Sequence, residues 1–173
     1  MLRYACAAGH EISRIEPLND LYGYAKGDEI LLCLAHCLGE QIDSSCDFVG
    51  HIGGDDFMLV ISSNDWAARV KQLFETFERR CRSFYRAEHL IEGCFIAEGR
   101  QGGQQRYPLL SLSVGAVHLK PDPPAELGAA RLASLASEAK RQAKQDAGFS
   151  LYTIDVEQRL AVDQSPSLAA SAL

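Results

Sequence analysis

Apolar residues recur at helical spacing in two stretches of this chain and predict two helices. The first helix spans about residues 28–41, and its apolar side is formed by Ile30, Leu31, Leu34, Ala35, Leu38 and Ile42. The second helix spans about residues 66–85, with Val70, Leu73, Phe74 and Phe77 on one face. A third helix is predicted over about 127–145, after a segment that three prolines interrupt.

Short apolar runs between these helices predict strands. Residues 46–52 and 57–61 flank a glycine- and aspartate-rich turn and are typical of a hairpin. A second hairpin is predicted to join residues 94–97 to residues 109–117 through a polar turn.

The remaining segments carry weaker patterns. Residues 3–8 and 150–154 are predicted to be short strands, and residues 9–27 to be irregular. Together the pattern predicts an α+β (mixed α/β) fold, with a central, mostly antiparallel sheet flanked by helices. We expect one domain over residues 1–154 and a flexible tail over 155–173, because the tail is rich in Ser and Ala and has no periodicity.

The composition limits the classes of function. A net charge of −6 argues against nonspecific binding of nucleic acid, which needs a cationic surface. No run is long and apolar enough to span a bilayer, and the start of the chain does not resemble a secretory signal, so we expect no membrane contact. The six cysteines form no C-x-x-C pair and indicate thiols of a reducing compartment. We therefore expect a cytoplasmic protein.

The tip of the first predicted hairpin carries the chemistry. Gly53 and Gly54 precede Asp55 and Asp56 between the two apolar runs. Glycine lets a phosphate approach the backbone closely, and adjacent carboxylates can hold Mg²⁺. The alternative is a turn that only reverses the chain, since glycine and aspartate are common in turns.

Four segments around this tip resemble the GGDEF domain, the diguanylate cyclase fold. Residues 18–29 are similar to the family's N-D-x-x-G-H-x-x-G-D loop and helix start, and residues 47–57 to its signature hairpin. Residues 112–116 resemble its S-x-G strand, and residues 138–144 its closing helix, which ends in Ala-Lys. The order and spacing agree over about residues 11–153. The second hairpin and the closing Ser-Leu-Tyr also resemble the GGDEF module that follows EAL and CBS modules in some bacterial proteins.

The resemblance implies a bacterial enzyme of cyclic di-GMP signalling that condenses two GTP molecules into cyclic di-GMP. One ribose 3′-hydroxyl attacks the α-phosphate of the other nucleotide, and pyrophosphate leaves. Such chemistry needs positioning and divalent metal, Mg²⁺ or Mn²⁺, to neutralise developing charge. Because each domain holds one GTP, the resemblance also implies a homodimer, with an EAL or other signalling domain in a longer parent chain.

The resemblance assigns substrate-binding residues. Asn19 and Asp28 match the guanine-reading positions, where a carboxylate accepts from N1–H and the exocyclic amine. Without the resemblance, Asn19 would be interpreted as a turn residue and Asp28 as a helix N-cap. Four residues match or neighbour the positions beside the phosphates: Gly53, Gly54, Lys140 and Lys144. The alternative interpretation of Lys140 and Lys144 is that each is a solvated charge on the surface of the helix.

The same resemblance assigns the acids, and here the chain departs from the family. Asp55 and Asp56 match the catalytic, metal-proximal pair, but Asp56 stands where the family usually has Glu. Glu11 falls at the first metal-binding acid, where the family has Asp. Phe149 replaces an expected arginine, and Ser44 replaces the arginine of the R-x-x-D product-inhibition motif. The family's opening helix has no counterpart before Met1, so the sequence predicts a domain truncated at its N-terminal edge.

These departures leave three hypotheses. The chain is a diguanylate cyclase, a nucleotidyltransferase with a degenerate Gly-Gly-Asp-Asp-Phe signature. Alternatively, it is a catalytically degenerate GGDEF domain that binds GTP and regulates an attached or partner cyclic di-GMP phosphodiesterase domain. The third hypothesis, a dimerisation module without a ligand, gives no reason to keep the guanine-reading residues together.

Overall fold

Seven strands and six helices make up the part of the chain that the computed structural model describes, residues 5–13, 15–99, 102–120 and 127–163. In chain order they are β1 (Ala5–Ser13), α1 (Ile15–Tyr22), α2 (Tyr24–Gly39), β2 (Phe48–Gly53), β3 (Asp56–Ile61), α3 (Trp66–Cys81), α4 (Ala87–Glu92), β4 (Cys94–Glu98), β5 (Gln104–Pro108), β6 (Ser111–Leu119), α5 (Ala129–Ala143), β7 (Ser150–Asp155) and α6 (Val156–Asp163). A short 3₁₀ turn, Arg82–Phe84, follows α3.

Five strands form the central sheet, in the order β2-β3-β1-β6-β7. Every neighbouring pair is antiparallel except β6 and β7, which run parallel. Strands β4 and β5 form a separate two-stranded sheet. The prediction of a mostly antiparallel central sheet flanked by helices is confirmed.

The two faces of this sheet pack against different helices. Along β6, Val114 and Ala116 contact Val70 of α3, whereas the alternate residue Val117 packs with Leu135 of α5. Since successive side chains of a strand point to opposite faces, α3 and α5 cover opposite sides of the sheet. Strand β6 is therefore covered on both faces, in agreement with the burial of almost every residue along it.

The segment predicted to be irregular, residues 9–27, is regular in the structure. It contains the end of β1, all of α1 and the start of α2, which begins at Tyr24 and not near residue 28. Gly23, at φ 88°, joins the two helices: its N–H donates to the Asn19 carbonyl at 2.8 Å, and its own carbonyl accepts from Lys26 at 3.1 Å. Asp28 therefore lies inside α2, and its interpretation as an N-cap is wrong.

The structure bears on two further expectations, and it corrects the first of them. The return strand of the second hairpin is the polar β5, and residues 109–117 belong instead to the loop before β6 and to β6 itself. The expected flexible tail begins with the helix α6, whose first residue Val156 is buried beside Ile154 and Leu135. Residues 164–173 of that expectation lie outside the described residues. Among the described helices, none has the length and apolar character needed to cross a membrane.

Candidate functional site

The tip between β2 and β3 is built from glycine conformations. Gly53 has φ 150° and Gly54 has φ 56°, values that L side chains rarely adopt. A Cβ built at either glycine meets no atom within 4 Å, so the space beside the backbone is open. His51 supports the turn, because its Nε2 donates to the Gly54 carbonyl at 2.8 Å and its ring stacks on Phe57. The tip is thus an ordered turn with room for a ligand beside its backbone.

The two tip acids lie next to β1. Asp55 and Asp56 are half-buried. In the register of the sheet Glu11 pairs with Asp56 on one side and with Ser113 of β6 on the other. The backbone of Glu11 is therefore adjacent to the tip, while its side chain lies outside the described side chains.

Lys140 reaches the tip from the helix that covers the sheet. Its Nζ lies 2.5 Å from Oδ1 of Asp56 and donates a hydrogen bond to it. Helix α5 comes this close because Gly115 of β6 lies beneath it: a Cβ there would be 2.1 Å from the Lys140 backbone nitrogen. Lys144 follows the last residue of α5 and is exposed.

Asn19 and Asp28 meet at the junction of α1 and α2. The Asn19 amide packs against Gly27, where a Cβ would lie 2.0 Å from Oδ1. That Oδ1 is buried and has no hydrogen-bond partner among the described residues. Asp28 is the next residue of α2 and is exposed. The junction therefore offers an acceptor inside and a carboxylate at the surface.

The junction and the tip lie at the same end of β1. Glu11 of β1 pairs with Asp56 at the tip, and α1 begins at Ile15, two residues after β1 ends at Ser13. The chain therefore runs from Glu11 of β1, beside the tip, into α1, which contains Asn19. A nucleotide with its phosphates at the tip and its base at the junction would follow this edge of the sheet.

The donor chemistry of the tip suits a hard divalent cation. Carboxylate oxygens are the ligands that Mg²⁺ and Mn²⁺ prefer. Among the described side chains, the tip supplies two carboxylates, those of Asp55 and Asp56. No cluster of three His, Cys, Asp or Glu side chains in the described residues is placed to hold a metal. Asp55 and Asp56 fit a metal in donor type, and Lys140 already neutralises one of them.

Gly27 and Gly115 were not predicted as site residues. Each nevertheless positions a predicted site residue, because Gly27 leaves room for Asn19 and Gly115 lets the backbone of Lys140 approach the sheet. A glycine inside a strand or helix pattern often marks a close approach of another backbone or side chain, and that was the available signal. Asp47 was also missed as a structural residue. Its side chain is fully buried and accepts hydrogen bonds from the amides of Asp43 at 2.8 Å and Ser62 at 2.7 Å, and from Arg69 at 2.7 Å.

Comparison with known proteins identifies the class of this domain. The family model "Diguanylate cyclase, GGDEF domain" matches residues 11–93, which run from the end of β1 to the residue before β4. This match covers both the α1–α2 junction and the glycine tip. The resemblance to the GGDEF domain deduced from the sequence is confirmed over residues 11–93.

Curated relatives and solved structures agree with that class. Diguanylate cyclase DgcM of Escherichia coli K12 is 41% identical over 51 residues, which are 30% of this chain and 12% of that protein. A diguanylate cyclase of Vibrio cholerae serotype O1 is 33% identical over 79 residues, or 46% of this chain and 22% of that protein. The chain thus spans under a quarter of these relatives.

The fold is shared with a solved GGDEF domain. The N-terminally shortened PA1120 (TpbB or YfiN) of Pseudomonas aeruginosa, which comprises only the GGDEF domain, superposes with a TM-score of 0.59. The match covers 94% of this chain and 83% of that one at 20% identity. The architecture is therefore that of a GGDEF domain.

Proposed function

We propose that this GGDEF domain condenses two molecules of GTP into cyclic di-GMP. The observation that carries the proposal is the placement of the Gly53–Gly54 tip, with its two acids, at the same end of β1 as Asn19 and Asp28. A phosphate-accepting backbone and a guanine-reading pair at one sheet edge match the two ends of a nucleotide. Both curated relatives described above are diguanylate cyclases.

In this proposal each residue has a separate task. Asn19 Oδ1, buried without a donor, accepts a hydrogen bond from the guanine base, and Asp28 accepts from the base's N1–H and exocyclic amine. Gly53 and Gly54 leave room for the phosphates, and Lys140 and Lys144 supply positive charge from α5.

The acids Asp55, Asp56 and Glu11 would hold divalent metal, which neutralises charge that develops at the phosphate. The chain's own residues then serve to position the 3′-hydroxyl of one GTP in line with the α-phosphate of the other. A new P–O bond forms and pyrophosphate leaves, twice per product.

Because each domain holds one GTP, two chains must face each other, so the active species is a homodimer. We propose, on the resemblance, an EAL domain as a partner in a longer parent chain.

The test is to incubate the purified chain with GTP and Mg²⁺ or Mn²⁺ and to look for cyclic di-GMP by chromatography. GTP binding is measured alongside by calorimetry. We expect product from the chain and none from Asp55→Asn, with weaker GTP binding by Asp28→Ala. The surface variant Glu75→Gln, on α3 away from the tip, is the matched control for loss of one carboxylate.

The outcomes separate the hypotheses. GTP binding without product would overturn the cyclase proposal and leave the degenerate domain that regulates a phosphodiesterase. Unchanged GTP affinity in Asp28→Ala would refute the guanine assignment. No GTP binding at all would leave only a dimerisation module.

A further inference from the structure

The contact between Lys140 and Asp56 joins two elements that are far apart in sequence. The ammonium is 2.5 Å from the carboxylate, and the two side chains are 23% and 36% exposed. Asp56 lies on β3, whereas Lys140 lies on the helix that packs over β1 and β6. Because β1 separates β3 from β6 in the sheet, the lysine reaches about two strand spacings, roughly 10 Å, to make this contact.

The fold directs this lysine to the tip. Gly115 removes the side chain that would hold α5 away from the sheet, since a Cβ would be 2.5 Å from the Ala139 carbonyl carbon and closer still to Lys140. Ala139 is buried beside Val117. With its neighbour fixed in this way, Lys140 starts from a defined backbone position and extends its side chain along the sheet.

We propose that Lys140 is a built-in cation that competes with divalent metal for the Asp56 carboxylate. An ammonium is a compact, strongly hydrated point charge, and in contact with a carboxylate it cancels the charge that attracts a metal. A metal ion that uses Asp56 must displace Lys140 or share the carboxylate with it. The tip of this chain therefore binds divalent cation more weakly than its acids alone would.

This inference rests on the proposed function only in treating Asp56 as an acid of a metal site, and its test needs no turnover. Mn²⁺ is titrated into the chain without nucleotide, and the free ion is measured by electron paramagnetic resonance. We expect Lys140→Met to bind Mn²⁺ about tenfold more tightly, since one positive charge at contact distance is removed. Lys140→Gln loses the same charge and keeps a polar end, so it serves if the Met variant fails to fold.

Arg141→Met is the matched control, because Arg141 is the next residue of α5 and is exposed. It removes one positive charge from the same helix, and we expect little change in its Mn²⁺ affinity. Adding Asp56→Asn to Lys140→Met should abolish the gain, which assigns the gain to that carboxylate.

The proposal is overturned if Lys140→Met and Lys140→Gln bind Mn²⁺ no more tightly than the parent chain. It is also overturned if Arg141→Met gains as much affinity, because the effect would then be one of net charge. The result is independent of catalysis. Tighter Mn²⁺ binding by a chain that makes no cyclic di-GMP would support this inference while refuting the proposed function.

Discussion

Gly27 is the residue that makes room for Asn19. The Asn19 amide oxygen occupies the place where a Cβ on residue 27 would lie, 2.0 Å away. The oxygen is buried without a donor among the described residues, and such an acceptor costs stability until a partner arrives. A donor on a bound guanine would be that partner. The free chain thus accepts a small loss of stability at the place where the proposed function puts the guanine base.

The first prediction concerns Gly27→Ala. The new methyl group displaces only the end of a side chain, and alanine favours a helix over glycine by about 0.5–1 kcal/mol, so stability to urea should be equal or slightly higher. GTP binding by calorimetry should weaken about tenfold, because the loss of one hydrogen bond is worth about 1 kcal/mol or more.

Gly39→Ala is the control for this change. Gly39 is the last residue of α2, and a Cβ there meets nothing within 4 Å. We expect its GTP affinity to equal that of the parent chain. A Gly27→Ala variant with full GTP affinity would show that Asn19 does not read the base.

The second prediction concerns pH and Asp47. Burial alone would raise the pKa of Asp47, but the amides of Asp43 and Ser62 and the Arg69 guanidinium outweigh it and hold this pKa below its usual value of 3.8. Such a carboxylate stabilises the fold fully above its unfolded-state pKa, and the contribution disappears as pH falls towards the folded-state pKa.

The measurement is the free energy of unfolding in urea as a function of pH. Asp47→Asn should be less stable than the parent chain by about 2 kcal/mol near neutral pH, because hydrogen bonds to a charged group are lost. The difference should shrink below about pH 4, where the parent carboxylate also takes up a proton. Asp20→Asn, which changes an exposed acid on α1, should show no such gap. A gap that persists unchanged to low pH would contradict this origin of the stability.

At the scale of elements, hydrophobic pattern predicted the elements that carry apolar runs and missed those made of small or polar residues. The helix α3 and the strand β3 were recovered because their apolar residues recur with the period of the element. Strand β1 was predicted poorly because its small residues Ala7, Ala8 and Gly9 carry no such signal. Its order comes from backbone pairing with β3 and β6 on both sides.

The second hairpin shows the same limit. Strand β5 is exposed along most of its length and polar in sequence, whereas β6 is buried on both faces. A hydrophobic pattern therefore selected β6 as the partner of β4. In the candidate site, the glycine tip could be predicted from residue type alone. The contact of Lys140 with Asp56 depends on how α5 crosses the sheet, which no local pattern contains.

The third prediction tests how α5 is placed. Gly115→Ala puts a methyl group against backbone atoms of Ala139 and Lys140, at 2.5 Å and closer, which cannot move without moving the helix. We expect the free energy of unfolding to fall by about 1–3 kcal/mol, as for other overpacked sites. The shift of α5 should also lengthen the contact between Lys140 and Asp56.

Gly128→Ala is the matched control, since Gly128 precedes α5 and a Cβ there meets nothing within 4 Å. Urea unfolding should leave this variant close to the parent chain. Mn²⁺ titration gives a second readout, because a displaced Lys140 should let Gly115→Ala bind the ion more tightly. Equal stability of the two glycine variants would show that α5 tolerates the methyl group without moving.

At the scale of the whole molecule, the structure bears on whether cyclic di-GMP can bind outside the proposed GTP site. The resemblance places an R-x-x-D product-inhibition motif at residues 44–47, where this chain has Ser44 and Asp47. The Asp47 carboxylate is fully buried and accepts hydrogen bonds from two amides and from Arg69. It therefore serves to hold the loop before β2 against α3, and it has no exposed oxygen for a ligand.

The fourth prediction is that cyclic di-GMP does not inhibit this chain through that motif, and that Ser44→Arg does not create such a site. The new guanidinium would stand at the exposed position 44, but its partner acid would remain bound to Arg69. Calorimetry with cyclic di-GMP in the presence of saturating GTP separates this site from the GTP site, where product also has affinity if the proposed function holds. We expect no saturable heat from either chain. Saturable binding by Ser44→Arg that Asp47→Asn removes would show that Asp47 can leave Arg69 and that feedback was lost through residue 44 alone.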